Sequence, residues 1–306
     1  MIINDLTIKY NYGAEAISRL SFDCAKGEIA TIFAREEGGK TSLIKTIGGI
    51  NRFSSGEILL NGQNIAEKSS KDRNVCILYN EFGLFKGKTI EKNLLYPLLI
   101  RKVDINKAKE AVKNVAEKFG LTDDLNKKVK KVDVFTKIAI IFARAFLRDA
   151  DAYLIDNIFS NVEVAQRKKV FLQYISYIKE LSNKAPLIFA TDSNFEAETF
   201  GEKVIVLNYG INLQIGVYKE IKANPLSVTV CKLFYGEKLS LSEAVLKKDN
   251  NELFVEGFGE KITLNEEKLI NSIFIGKTVV LARVIDDNNF GTKIFDIRSE
   301  QLIYFN

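Results

Sequence analysis

The chain has 306 residues, 46% of them hydrophobic and 27% charged, the make-up of a globular protein with length for one large domain and a small one. Forty-four Lys and Arg against 39 Asp and Glu leave a net charge of +5, an excess too small to point to nucleic acid or to direct binding of a membrane surface. The absence of histidine excludes an imidazole base, switch or metal ligand, and Cys24, Cys76 and Cys231 form no CxxC pair, so neither a zinc site nor a disulfide framework is expected and a reducing cytoplasm fits.

Met1 leads directly into strand-like residues rather than a basic and apolar leader, so no secretory signal is expected. No stretch reaches the roughly 18 apolar residues of a spanning helix, so any membrane role runs through a partner. Ile2-Ile3, Leu6 to Ile8 and Leu20 to Phe22 predict short strands before a turn at Lys26-Gly27. Glu28 to Phe33 is a mostly apolar run of the length of a buried parallel strand. It leads into Ala34 to Ser42, after which Leu43, Ile44, Ile47 and Ile50 recur at helical spacing. Strand, loop and helix in that order is the setting of a phosphate-binding loop, and Gly39, Lys40 and Thr41 keep the second half of G-x-x-x-x-G-K-[ST]. Ala108, Ala111, Val112, Val115 and Phe119 mark one face of a helix between Val103 and Gly120, with the glycine at its C-cap. Further helices are predicted over Ile138 to Leu147 and Val164 to Leu181, and strands over 152–156, 187–191 and 204–207. Strands alternating with helices predict an α/β fold on a largely parallel sheet. From about Gly236 the helices stop, and short strands at 253–256, 261–264, 278–281 and 294–297 predict a small β-barrel.

Phe53 to Gly62, Thr89 to Leu94, Ala143-Arg144-Ala145, Ser160-Asn161, Glu196-Ala197 and Gln214-Ile215-Gly216 follow the phosphate loop in order. Together they resemble, over the whole chain, the ATP-binding-cassette (ABC) ATPases, and among them the subunits of carbohydrate importers of the maltose type. The tail, with Gly276 to Arg283 and Phe295-Asp296 as two of its strands, is similar to that family's oligonucleotide-binding-type (OB-like) regulatory barrel, shortened. The resemblance implies a P-loop NTPase cassette over 1–235, with a RecA-like core and a helical subdomain at about 87–150, and the OB-like barrel over 236–306. It further implies a place at the cytoplasmic face of the cell membrane, beneath transmembrane permease subunits. An intact paralogous ATP-binding subunit is the expected partner in preference to a second copy. No nucleic acid and no direct membrane insertion are expected.

The same resemblance implies the site. ATP would sit on Ala34, Arg35, Glu36, Glu37, Gly38, Gly39, Lys40, Thr41 and Ser42, with Tyr10 stacking on adenine and Thr41 and Asp156 holding Mg²⁺. The departures are many. Ala34 replaces the loop's first glycine and resists any positive φ. Glu36 and Glu37 bring negative charge to the loop, and one such charge about 5 Å from a phosphate oxygen costs about 3 kcal/mol at an effective dielectric of 20. Asn157 stands at the catalytic glutamate position, and an amide cannot take a proton from water, which removes a contribution of roughly 10²–10⁴ in rate. Asp192 stands at the switch histidine, Asn80 at the Q-loop glutamine, and Val132, Asp133, Val134, Phe135 and Thr136 at the glycine-containing signature. Weak nucleotide binding and lost or impaired hydrolysis are therefore expected. Phe82 to Phe85 is similar to the apolar wall of the groove that receives a membrane subunit. Three readings fit these residues: a degenerate subunit paired with an intact paralogue, a slow but working transport ATPase, and a regulatory or adaptor protein outside any transporter.

Overall fold

The structure, a computed structural model, describes residues 1–10, 13–79, 83–249, 252–265, 274–285 and 291–304. Asn80 and Phe82 lie outside them. The chain divides into two compact units, one of residues 1–200 and 207–211, the other of 201–206 and 212–306.

In chain order the first unit runs β1 (Ile2–Lys9), β2 (Glu15–Asp23), β3 (Ile29–Phe33), α1 (Lys40–Ile47), β4 (Ser55–Leu60), β5 (Gln63–Asn64) and β6 (Val75–Tyr79). It continues with α2 (Ile90–Ile100), α3 (Ile105–Lys118), α4 (Val134–Phe146), β7 (Ala152–Asp156), α5 (Val164–Ser182), β8 (Leu187–Thr191) and α6 (Asn194–Thr199). Two more strands, β9 (Lys203–Asn208) and β10 (Ile211–Gly216), have their facing ends in this unit. The sheet has ten strands in the order β5-β4-β1-β2-β10-β9-β3-β8-β7-β6. β3, β8, β7 and β6 are parallel, whereas β1 pairs antiparallel with β2 and β4. Every residue of β7 and β8 is buried, as expected of parallel strands covered on both faces. Their last residues, Asp156 and Thr191, are therefore polar groups held at the carboxyl edge of the sheet, where open α/β sheets bind ligands.

Against this sheet α4 and α5 pack an aromatic core of Phe142, Phe159, Phe171, Tyr174 and Phe189. A second core lies within the helical segment α2–α4, built on Ile90, Leu94, Val112, Val115 and Ile140. α4 begins at Val134, earlier than the predicted Ile138, because Asp133 caps it: its Oδ1 accepts from the Thr136 N–H at 2.7 Å. α3 ends at Lys118 with Phe119 as its C-cap, one residue before the expected Gly120, which follows in the left-handed region at φ 65. Arg73, 4% exposed, donates to the carbonyls of Thr46 and Ile47 at 2.7 and 2.9 Å and so fixes the C-terminal end of α1.

The second unit holds α7 (Tyr218–Ala223), α8 (Val228–Tyr235), β11 (Leu239–Asp249), β12 (Glu252–Gly257), β13 (Glu260–Leu264), β14 (Thr278–Val284), β15 (Lys293–Asp296) and β16 (Leu302–Tyr304). Where a barrel is expected, the described residues form a six-stranded antiparallel sheet of linear order, β13-β12-β11-β14-β15-β16. β11 has no counterpart among the predicted strands. Val228 and Cys231 of α8 form one buried cluster with Ala282 and Phe295, which groups residues 212–235 with this sheet rather than with the cassette-like unit expected to end at 235. All three cysteines are free and buried, and among the described residues no helix is long and apolar enough to cross a membrane.

Candidate functional site

The carboxyl edge of β3, β7 and β8 opens onto a cleft of about 550 Å³ whose lining includes Tyr10, Glu36 to Ser42, Asn157, Ser160 and Asp192. At one end lies the loop between β3 and α1. Gly39, at φ 92, is the N-cap of α1, and a Cβ there would meet the Ala16 carbonyl oxygen at 2.4 Å, so only glycine fits. No side chain caps α1, which leaves its first-turn N–H groups available to an anion. Ala34 is fully buried and lies outside the positive-φ region that alanine resists. Its methyl acts sterically instead: a Cβ on Gly38 would stand 2.4 Å from the Ala34 Cβ.

Lys40 is 8% exposed, and its Nζ donates to the carbonyls of Ala34 and Arg35 at 2.6 Å each. Burial pushes its pKa down, and the negative charges of Asp192, Asp156 and Glu36 offset that only in part. Arg35, Glu36 and Glu37 are exposed along the loop, with Glu37 at φ 59. Tyr10 is 41% exposed, not buried, with its hydroxyl 2.6 Å from the Ser42 Oγ. Thr41 donates its hydroxyl to Oδ1 of Asp156, itself 2% exposed, at 3.2 Å. This hydroxyl–carboxylate pair fits a hard cation that takes its remaining oxygens from phosphate. No cluster of three or more His, Cys, Asp or Glu that could hold a metal by itself occurs among the described residues.

The other end of the cleft is a closed network of side chains. Asn157 follows β7 at φ 46, a left-handed conformation in which asparagine is enriched. Its Nδ2 donates to Asp192 Oδ2 at 3.2 Å, and its Oδ1 accepts from Arg167 Nη2 at 3.1 Å. The same Nη2 donates to Asp192 Oδ1 at 2.8 Å, while Arg167 Nε donates to Glu196 Oε1 at 2.7 Å. Glu196 is 1% exposed and accepts a further bond from the Thr191 hydroxyl. Burial alone would push the Asp192 carboxyl up, but the charge and hydrogen bond of Arg167 and the bond from Asn157 outweigh it and hold it below the usual aspartate range. The sequence reading missed Arg167. In the run Gln166-Arg167-Lys168-Lys169 it looks like one more charge on a solvated helix face, and only the packing of α5 brings it beneath the cleft.

The segment Val132 to Thr136 is not in the lining of this cleft. It forms the start of α4, where the Asp133 carboxylate occupies the helix N-terminus and Phe135 is 41% exposed. Asn80 lies outside the described residues. Of the apolar stretch that follows it, Leu84 is packed between the two cores. Phe85 is exposed, with its ring 4.6 Å from that of Tyr96. Tyr96, Leu99 and Ile100 extend this apolar surface along α2.

The family model described as "ABC transporter" matches residues 17–160. The trehalose/maltose import ATP-binding protein MalK of Thermococcus litoralis is 24% identical over 275 residues, covering 87% of this chain and 72% of that protein. The sn-glycerol-3-phosphate import ATP-binding protein UgpC of Escherichia coli K12 is 25% identical over 260 residues, covering 85% and 72%. Among solved structures, cbiO1 from Clostridium perfringens, part of the ABC transporter complex cbiONQ, superposes with a TM-score of 0.63 at 19% identity over 73% of this chain and 90% of that one. The matched segment runs from β2 through the phosphate loop to the residues after β7, on a cassette fold, so residues 17–160 carry an ABC transporter ATP-binding domain.

Proposed function

We propose that this chain is the cassette subunit of a carbohydrate-type importer, held beneath transmembrane permease subunits at the cytoplasmic face of the membrane, and that it binds Mg²⁺-nucleotide weakly and does not hydrolyse ATP. The importer class rests on the sugar and glycerol phosphate transport named for its relatives. The loss of hydrolysis rests on one observation: Asn157, Asp192, Arg167 and Glu196 bond to one another at the end of the cleft where a water would have to be activated. An amide there accepts no proton, and the neighbouring carboxylate is already paired. At the loop end, Lys40 and the first turn of α1 would hold phosphate oxygens, and Thr41 with Asp156 would hold Mg²⁺; the cation supplies charge neutralisation of the phosphates when bound. The signature segment offers a partner's nucleotide the Asp133 carboxylate and the Phe135 ring in place of open backbone. Neither half supports chemistry, so the turnover of the transporter falls to an intact paralogous subunit.

Phosphate release by the purified chain tests this reading. We expect no turnover above that of the Lys40→Ala variant, and hydrolysis that Lys40→Ala abolishes would establish a slow working ATPase instead. Asn157→Glu alone should not restore activity, because it sets a third carboxylate beside Asp192 and Glu196. In a verified heterodimer, converting Val132 to Thr136 to Leu-Ser-Gly-Gly-Gln should raise the rate, whereas Asn157→Glu in this chain should not; no response to the signature conversion would favour an adaptor role.

A further inference from the structure

We infer that the cleft selects a nucleoside diphosphate over a triphosphate, an inference that rests on reading it as a nucleotide site. The groups able to hold phosphate are all at the loop end. Lys40 and the uncapped first turn of α1 carry positive charge, and the Thr41–Asp156 pair suits a cation that bridges phosphate oxygens. The loop also carries Glu36 and Glu37, both exposed, whereas the far end carries a carboxylate that is held in place. Asp192 faces the same cleft, and its carboxylate is fixed from behind by Arg167 at 2.8 Å and Asn157 at 3.2 Å. Of the negative charges around Lys40, Asp192 acts on it most strongly, ahead of Asp156 and Glu36. Arg167 does not reverse this, because it is shared with Glu196 as well as Asp192: one positive and two negative side chains leave that end with a net charge of −1.

Lys40 attracts the outer phosphates of a diphosphate and of a triphosphate alike. A third phosphate must advance toward a carboxylate that cannot rotate away without breaking its bonds to Arg167 and Asn157. A unit charge held roughly 6 Å from a phosphate at an effective dielectric of 20 weakens binding about a hundredfold. Partial neutralisation by Arg167 brings the expected preference to about tenfold. The fixed carboxylate thus acts as a length gauge: it penalises the third phosphate more than the first two.

The test is titration calorimetry on the full chain with Mg²⁺-ADP, Mg²⁺-ATP and a non-hydrolysable triphosphate analogue. We expect Mg²⁺-ADP to bind about tenfold more tightly than either triphosphate. Asp192→Asn keeps the shape and removes the charge, so it should tighten both triphosphates about tenfold and leave the diphosphate within about twofold. Asp192→Ser is the second variant, and melting curves of each establish that it folds. Triphosphates that bind the wild-type chain as tightly as ADP overturn the inference, and this comparison needs no variant. A ratio unmoved in a folded Asp192 variant overturns it too. Absence of binding by any nucleotide at millimolar concentration overturns it while leaving the lost hydrolysis intact, whereas Lys40-dependent turnover of ATP overturns the proposed function whatever the affinity ratio.

Discussion

The two ends of the cleft are built from different materials. The loop end is backbone: the turn at Gly39, the first amides of α1 and the carbonyls of Ala34 and Arg35 that receive Lys40. Those same residues lead into Leu43, Ile44 and Ile47, all fully buried, so the loop cannot be remodelled without disturbing the core. The far end is side chains, contributed by the residue after β7, by α5, and by the end of β8 with the helix that follows. Nothing in the packing of the sheet depends on Asn157 or Asp192 having reactive groups. A site can therefore lose its chemistry and keep its shape, because the shape is bound up with folding and the chemistry is not. The network around Arg167 goes one step further and gives the replaced residues a structural role of their own.

That contrast is broken most directly at Arg167. Glu196 has a side chain only 2% exposed and depends on Arg167 for its ion pair. Arg167→Met strands that carboxylate, and we expect a loss of about 3 kcal/mol, the lower end for breaking a buried pair because Arg167 retains some exposure. Urea midpoints measure it. The double variant with Glu196→Gln should recover much of the loss, since it removes the stranded charge. A loss below about 1 kcal/mol would mean that the network is incidental to stability.

At the loop end the corresponding probe is steric. Gly38→Ala brings its Cβ against the Ala34 methyl, and overpacking of this kind costs about 1–3 kcal/mol. Ala34→Gly alone should be mild, and in the double variant it should relieve the clash. A double-mutant cycle reads that coupling directly. Independent, additive effects would show that Ala34 and Gly38 do not share the space assigned to them.

Much of this was legible beforehand, and the boundary of legibility has a physical form. The phosphate loop and the strands of the parallel sheet announce themselves through local pattern: an apolar run, a glycine-lysine turn, then apolar residues at helical spacing. Asn157 and Asp192 could be placed because they follow such strands directly. Arg167 could not, since its partners Asn157, Asp192 and Glu196 are 10, 25 and 29 residues away along the chain, and a charge on an amphipathic helix carries no mark of what lies under it. β11 escaped for a related reason. Its run Leu239 to Asp249 buries only Ala244 and Leu246, too little apolar alternation to show as a strand. Ala34 differs again: alanine resists a positive φ, but the backbone there does not adopt one.

A smaller effect separates the two ends through pH. Asp192 has its folded pKa lowered, chiefly by Arg167 working against burial. Its contribution to stability is therefore fully present above the unfolded value, near the ordinary aspartate pKa of 3.8, and is lost as pH falls through the lower folded value. The stability difference between the wild-type chain and Asp192→Asn should stay constant from neutral pH to about pH 5 and shrink below about pH 4. A difference that instead shrinks between pH 7 and 5 would require a raised carboxyl pKa and would contradict the ion pair.

The smallest expected effect concerns the loop glutamates. Read from sequence alone, a charge facing inward would weaken nucleotide binding by roughly a hundredfold. In the structure both Glu36 and Glu37 are exposed, so water screens them and exposed charge interactions of this kind amount to at most about fivefold in affinity. The two are not equivalent. Glu36 acts on Lys40, so Glu36→Gln should tighten Mg²⁺-ADP by about two- to fivefold. Glu37 holds φ 59, where glycine is at ease and glutamate is not, so Glu37→Gly changes the backbone as well as the charge. Glu37→Gln is the proper comparison, and it should change affinity less than Glu36→Gln does. Raising the salt concentration should erase both gains, because exposed charges are screened within about 8 Å at physiological ionic strength. A tightening that survives high salt would mean that one glutamate turns from solvent toward the bound phosphates, and the loop would then share responsibility with Asp192 for excluding the third phosphate.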